Sequence, residues 1–246
     1  MKGGDVRETE PKARPPLGGG VLAARLAGRE HGAARGVPAR RSAAGLPALG
    51  DDVGSSAAHI LGGFLLSCAL GIVLAALSAR FRRVDELLAP LTAAVKAVPV
   101  ASFTILALMW LSGRALALFI SALAVFPPVY LGVLEGARAA DRELLEMARV
   151  FRVPFWRRLR GIYLPQTLPY FRAAAGVGLG LCWKAGTAAE VIALCGGSIG
   201  ERLYTAKIYF QTGDLFAWTA VIVLASALFE RLFLRLIDAL AERVGV

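Results

Sequence analysis

Residues 144–165 read "LLEMARVFRVPFWRRLRGIYLP". Five arginines make this stretch too polar to cross a bilayer, and its leucines, Met147, Phe151, Phe155 and Trp156 make it too apolar for a solvated loop. Read as a helix from Asp141, a suitable N-cap, it sets Leu144, Met147, Ala148 and Phe151 at i, i+3, i+4 and i+7, one apolar stripe. Arg142, Glu143, Glu146 and Arg149 fall away from that stripe, and Arg142 and Glu146 have the spacing of an i,i+4 ion pair. Val153-Pro154 breaks the helix. A second one can start at Pro154, with Phe155, Leu159 and Ile162 on its apolar face and Arg157, Arg158 and Arg160 opposite; Leu164-Pro165 ends it. Such a pair of short helices suits either an anionic lipid surface or a groove on a cytoplasmic partner.

The sequence on either side is greasy. Of 246 residues, 57% are hydrophobic and 19% charged, below the roughly 25% charged of soluble domains. Apolar runs at 57–79, 99–111 (extended back through Leu91), 115–134, 167–195 and 215–234 predict about five transmembrane helices. No alternating Val/Ile/Thr pattern suggests strands. The predicted class is all-α, a polytopic transmembrane bundle carrying a cytoplasmic helical loop.

The net charge of +10 would suit nucleic acid if it were spread over a soluble face. It is not. Segments 80–97, 136–166 and the C-terminal tail hold fourteen basic residues, and the alternate connections hold three, Arg114, Arg202 and Lys207. The positive-inside rule then places the C-terminus in the cytoplasm. Residues 1–56 differ: rich in Ala, Gly, Arg and Pro, with nine basic residues, they show no periodic apolar face and are expected to be mostly disordered, with residues 57–246 forming the membrane domain. Cys68, Cys182 and Cys195 lie in apolar runs, with no spacing for a disulfide framework or a metal site.

Other features carry less chemistry. None of the five lysines follows a glycine, so there is no phosphate-binding P-loop. Gly176 and Gly180, within "GVGLG", read as helix-packing positions rather than a dinucleotide loop. Lys184 and Glu190 are ionisable residues inside the fourth run, where such groups mark a pathway or an intraprotein pair. Six residues apart, they do not face one another, so each requires a partner elsewhere. Lys184 stands twelve residues beyond Arg172, ~18 Å along a helix, which predicts burial. Pro127-Pro128 predicts a kink in the third run. His31 and His59 have no ligand-spaced companions. No cofactor is expected.

The pattern E-M-A-x3-R-x9-I-x-L-P, Glu146 to Pro165, resembles the cytoplasmic E-A-A-x3-G-x9-I-x-L-P motif of bacterial ABC importer permeases. "HILGGFLLSCALG", "LLAPLTAAVKAVPVASF", "GLGLCWKAGTAAEVI" and "LFAWTAVIVLASALFERLF" look like the nitrate/sulfonate/taurine-type members, so the resemblance covers about residues 57–240. It implies a non-enzymatic permease subunit in the bacterial inner membrane, moving a small, polar or anionic solute. Its implied partners are a separate ATPase subunit, an extracytoplasmic solute-binding protein, a second permease subunit (a homodimer by default) and membrane lipid. It assigns ATPase coupling to Glu146, Met147, Ala148, Phe151, Ile162, Leu164 and Pro165. Two departures stand out. Arg152 replaces the motif glycine, so Val153-Pro154 is expected to supply the turn, and the family's usual earlier helix has no counterpart before residue 57, as after a truncated or out-of-frame start. A secondary transporter would require internal repeats, a membrane enzyme a convergent His/Cys/Asp/Glu set, and a non-transporting assembly or regulatory protein remains the other alternative.

Overall fold

The computed structural model describes residues 46–244, and every regular element there is helical. Residues 1–45, which hold most of the segment expected to be disordered, lie outside the described residues. The first helix, α1, spans Leu46–Arg80. The boundary expected at 56/57 therefore falls inside a helix, with Asp52 and Ser56 buried. "GDDVGSS" (50–56) hides this because it has no apolar stripe; its buried residues are Asp52 and Ser56, with Val53 half-buried.

Helix α2 (Arg82–Ala97) and α3 (Val100–Ala107) follow, broken at Val98-Pro99 and bent by 97°. Helix α4 covers Gly113–Arg138 and continues through Pro127 and Pro128. The short α5 (Arg142–Val150) and α6 (Phe155–Arg158) come next, then a π-helical turn, Leu159–Tyr163. Helix α7 (Leu164–Ala193), α8 (Ile199–Ile208) and α9 (Thr212–Val244) complete the chain.

Helices α1, α4 and α7 make the core. Their large buried side chains include Phe64, Tyr130, Leu179 and Trp183. Close approach depends on missing Cβ atoms. A methyl at Gly186 would come within 2.5 Å of Ser121 Oγ and 2.6 Å of Ile60, and one at Gly132 within 2.6 Å of Ala174. A methyl at Gly63 would strike the Leu118 carbonyl. In lipid, helices gain nothing from leaving water and associate through such packing.

The contacts fix direction. Gly63 meets Leu118 and Gly71 meets Val129, so α1 and α4 run parallel. Gly113 meets Ala193 and Gly136 meets Thr167, so α7 runs against α4. Helix α9 runs against α7: Arg172 holds Asp238 and Trp183 packs on Phe229. Phe233 of α9 also meets Phe64 of α1 edge-on, with ring centres 4.9 Å apart. The C-terminal ends of α1, α4 and α9 and the start of α7 thus share one end of the bundle. Arg138 pairs there with Asp85 at 2.6 Å.

By length and apolarity, Gly50–Arg80 and Gly113–Arg138 can each cross a membrane, and the bent α2–α3 pair brings the number to three. That is fewer than the five expected. The other two expected spans fall on α7 and α9, which are 30 and 33 residues long. They carry Arg172, Lys184 and Glu190, and Glu230, Arg231 and Arg235.

Candidate functional site

The opening stretch forms two short helices at the arginine-rich end. Asp141 caps α5, its Oδ1 accepting from the Glu143 N–H at 2.8 Å. The Asp141 N–H donates to Gln166 Oε1 at 2.6 Å, which ties the start of α5 to the start of α7. Sequence reasoning missed Gln166, since nothing local marks a contact 25 residues away.

Helix α5 closes with a left-handed residue. Arg152 has φ 51°, the Val153 N–H donates to the Ala148 carbonyl at 2.8 Å, and the Arg152 N–H donates to the Arg149 carbonyl at 3.1 Å. These two bonds make a Schellman cap. The expected transfer of the turn to Val153-Pro154 is therefore corrected. Arg152 itself takes the motif glycine's conformation, because the two bonds outweigh the ~1–2 kcal/mol strain of an L-residue there. The expected stop at Leu164-Pro165 is corrected as well. The Leu164 N–H reaches back five residues to the Leu159 carbonyl, and this widened turn carries the helix into α7 with Pro165 in its first turn.

Of the predicted stripe, Ala148 is buried, whereas Leu144, Met147 and Phe151 face outward, Phe151 at 75% exposure. Val150, Phe155 and Trp156 are exposed beside them, and the Phe155 and Trp156 rings stack with centres 6.5 Å apart. Glu146 is exposed. Among the described residues no ion pair engages it, and the expected Arg142 pair is not formed. Ile162 and Pro165 are half-buried and Leu164 is exposed. Of the residues to which the resemblance assigns coupling, Glu146, Met147, Phe151 and Leu164 are thus exposed, Ile162 and Pro165 half-buried and Ala148 buried, and Arg149, Arg152, Arg157 and Arg160 are exposed along the same stretch.

Two expectations about α7 change. Lys184 is exposed on the outer face of the subunit, not buried, because the ~18 Å depth estimate fixed its height and not its azimuth. No ion pair to it is present among the described residues. Gly180 has nothing within 4 Å of a built Cβ, and Gly176 makes only ordinary contact with Glu230 and Leu234 of α9. The tightly packed member of "GVGLG" is Gly178, whose Cβ would lie 3.1 Å from Val125.

Glu190 is 2% exposed, and its partners are not cations. Its Oε2 accepts from Ser56 Oγ at 2.8 Å and from the Gly200 N–H at 3.3 Å. Ser56 Oγ also accepts from the Ile199 N–H at 2.9 Å. One turn earlier on α1, the buried Asp52 accepts from the half-buried Arg202 at 2.7 Å. At the arginine-rich end, Arg172 grips Asp238 through two bonds of 2.6 and 3.0 Å, which hold the Asp238 carboxyl below its usual range. A cavity of about 310 Å³ lies between α2 and α4, with Lys96, Arg138 and Asp85 in its wall.

The comparisons agree with the motif. A family model described as binding-protein-dependent transport system inner membrane component matches residues 68–246. The chain is 28% identical over 177 residues to an aliphatic sulfonates transport permease protein of Bacillus subtilis (strain 168), covering 72% of this chain and 63% of that one. It is 30% identical over 183 residues to the riboflavin transport system permease protein of Chloroflexus aurantiacus, covering 71% and 68%. It is 26% identical over 158 residues to the bicarbonate transport system permease protein of Synechococcus elongatus, covering 64% and 56%. The chain thus spans less than two thirds of the sulfonate and bicarbonate permeases. With more than half of its length matched by the family model, this chain belongs to the family of binding-protein-dependent transport system inner membrane components.

Proposed function

We propose that this chain is the membrane-spanning subunit of an ATP-driven importer, working beside a second permease subunit. A separate ATPase docks on residues 144–165 from the cytoplasm, and a solute-binding protein delivers cargo at the opposite end. The chain crosses the inner membrane five times, with the bent α2–α3 pair as the second span and the C-terminus inside. The parallel course of α1 and α4 supports this, since the chain must return between them.

One observation carries the reading. Within the motif, Met147, Phe151, Phe155 and Trp156 are exposed at the arginine-rich end, and its second short helix continues through the π-turn into the core helix α7. Left in water, each of these large side chains forgoes ~1.5–3 kcal/mol. Lipid would cover them, but Glu146 would then face acidic headgroups. A protein groove offering a cation or a donor to Glu146 suits both. Movement of that groove acts directly on α7.

The cargo is a small polar solute, and an anion fits best. Two of the named relatives carry sulfonates and bicarbonate. Lys184 presents a cation on the exposed face of α7, where a second permease subunit would enclose it. The test is co-purification of the ATPase with permease variants. Glu146→Lys and Phe151→Asp should detach or uncouple it while the permease stays folded. Wild-type co-purification and stimulated hydrolysis in both would return the stretch to a lipid-surface role.

A further inference from the structure

Glu190 lies at the far end of α7 from the coupling stretch, and its interactions are unusual for a carboxylate in an apolar helix. Both described bonds to its carboxylate fall on one oxygen, Oε2. The donors belong to two other elements, Ser56 of α1 and the first turn of α8. Gly200 permits the approach, since any Cβ there would collide with Glu190. Ser198 caps α8 by accepting from the Glu201 N–H, and Glu201 bonds back to the Gly197 N–H at 2.6 Å. The Asp52–Arg202 pair repeats the α1–α8 tie one turn on. A ten-residue helix, ~15 Å long and too short to cross a membrane, is thus bound to the ends of α1 and α7 by buried polar contacts. Such bonds are costly to leave unmade in an apolar setting.

We propose that Glu190 is a positioning residue: through Ser56 and the α8 N-terminus it latches α8 to α7, so that a load applied to α8 by the docked solute-binding protein reaches the ATPase end of α7. The proposal rests on the importer reading for the identity of that load. The convergence on one oxygen sets a specific requirement. Glutamine, with its carbonyl oxygen in the same place, preserves both bonds, so the latch needs an acceptor and not a charge. A role in ion or proton conduction would require the charge.

The test uses the assembled permease–ATPase complex in nanodiscs with its loaded binding protein. Two readouts are taken for wild type, Glu190→Gln and Glu190→Leu: the ratio of stimulated to basal ATP hydrolysis, and the spin-label distance distribution between α8 (Lys207→Cys) and α4 (Arg114→Cys). Glu190→Gln should keep both. Glu190→Leu should broaden the α8 distance and cut stimulation by at least about fivefold, since it leaves two buried donors without an acceptor, with basal hydrolysis unchanged. If Glu190→Leu does not assemble, Ser56→Ala removes the shared hydroxyl with less disturbance and should give the same two changes. A narrow, wild-type distance in Glu190→Leu or Ser56→Ala overturns the latch, and so does equal loss in Glu190→Gln and Glu190→Leu. Failure of the wild-type complex to respond to any binding protein overturns the importer reading instead, and the distance measurement still decides the latch.

Discussion

Arg152→Gly should stabilise the end of α5, against the usual effect of a glycine. Arg152 sits at φ 51°, where an L-residue is strained by ~1–2 kcal/mol. Glycine escapes that strain but loses more chain entropy on folding, so the net gain is about 1 kcal/mol. Since 1.4 kcal/mol is tenfold, that is roughly a fivefold shift in the local opening equilibrium. Hydrogen exchange reads it directly. The amides of residues 152 and 153 donate to the Arg149 and Ala148 carbonyls, and both should exchange roughly fivefold more slowly in the variant. Arg152→Ala is the control: it removes the same charge but keeps a Cβ, and should show no comparable slowing. If the glycine variant exchanges no more slowly than the alanine one, the left-handed cap is not what closes α5, and the structural equivalence of Arg152 to the motif glycine fails.

Gly186→Ala should destabilise the subunit by about 1–3 kcal/mol through overpacking against Ser121 and Ile60, whereas Gly180→Ala, with open space around it, should cost nothing; thermal unfolding in detergent checks both. Lys184→Met should leave assembly intact and reduce uptake of an anionic solute, and undiminished uptake would remove Lys184 from the pathway. Deleting residues 1–56 should destabilise α8, because Asp52 and Ser56 leave with the segment; unchanged exchange protection across residues 199–208 would contradict that.

Local features were legible because their causes are local. The Asp141 cap follows from adjacent residues and is present, and the second short helix starts after Pro154 as its sequence suggests, although α5 has already ended at Val150. The arginine clusters in alternate connections come together at one end of the bundle. The Arg152 turn was misread because a residue's intrinsic reluctance toward positive φ is outweighed by two cap hydrogen bonds that composition does not reveal. Glu190 stood out in the sequence as an ionisable residue in an apolar run, but its partner Ser56 lies 134 residues away, and no periodicity links the two. Its partners are a hydroxyl and a backbone amide, which composition does not mark as counterparts of a carboxylate. The exposure of Lys184 and the open space at Gly180 share a reason. Helical spacing fixes which residues share a face and leaves open which face meets the core, so Gly178 packs and Gly180 does not.

The central claim is that residues 144–165 seat an ATPase. A photo-reactive benzoyl-phenylalanine in place of Phe151, which is 75% exposed, tests it in whole membranes. A cross-link to the ATPase subunit is expected, lost when Glu146→Lys is added and changing in yield with nucleotide. Cross-links to lipid alone, unaffected by Glu146→Lys, would contradict it.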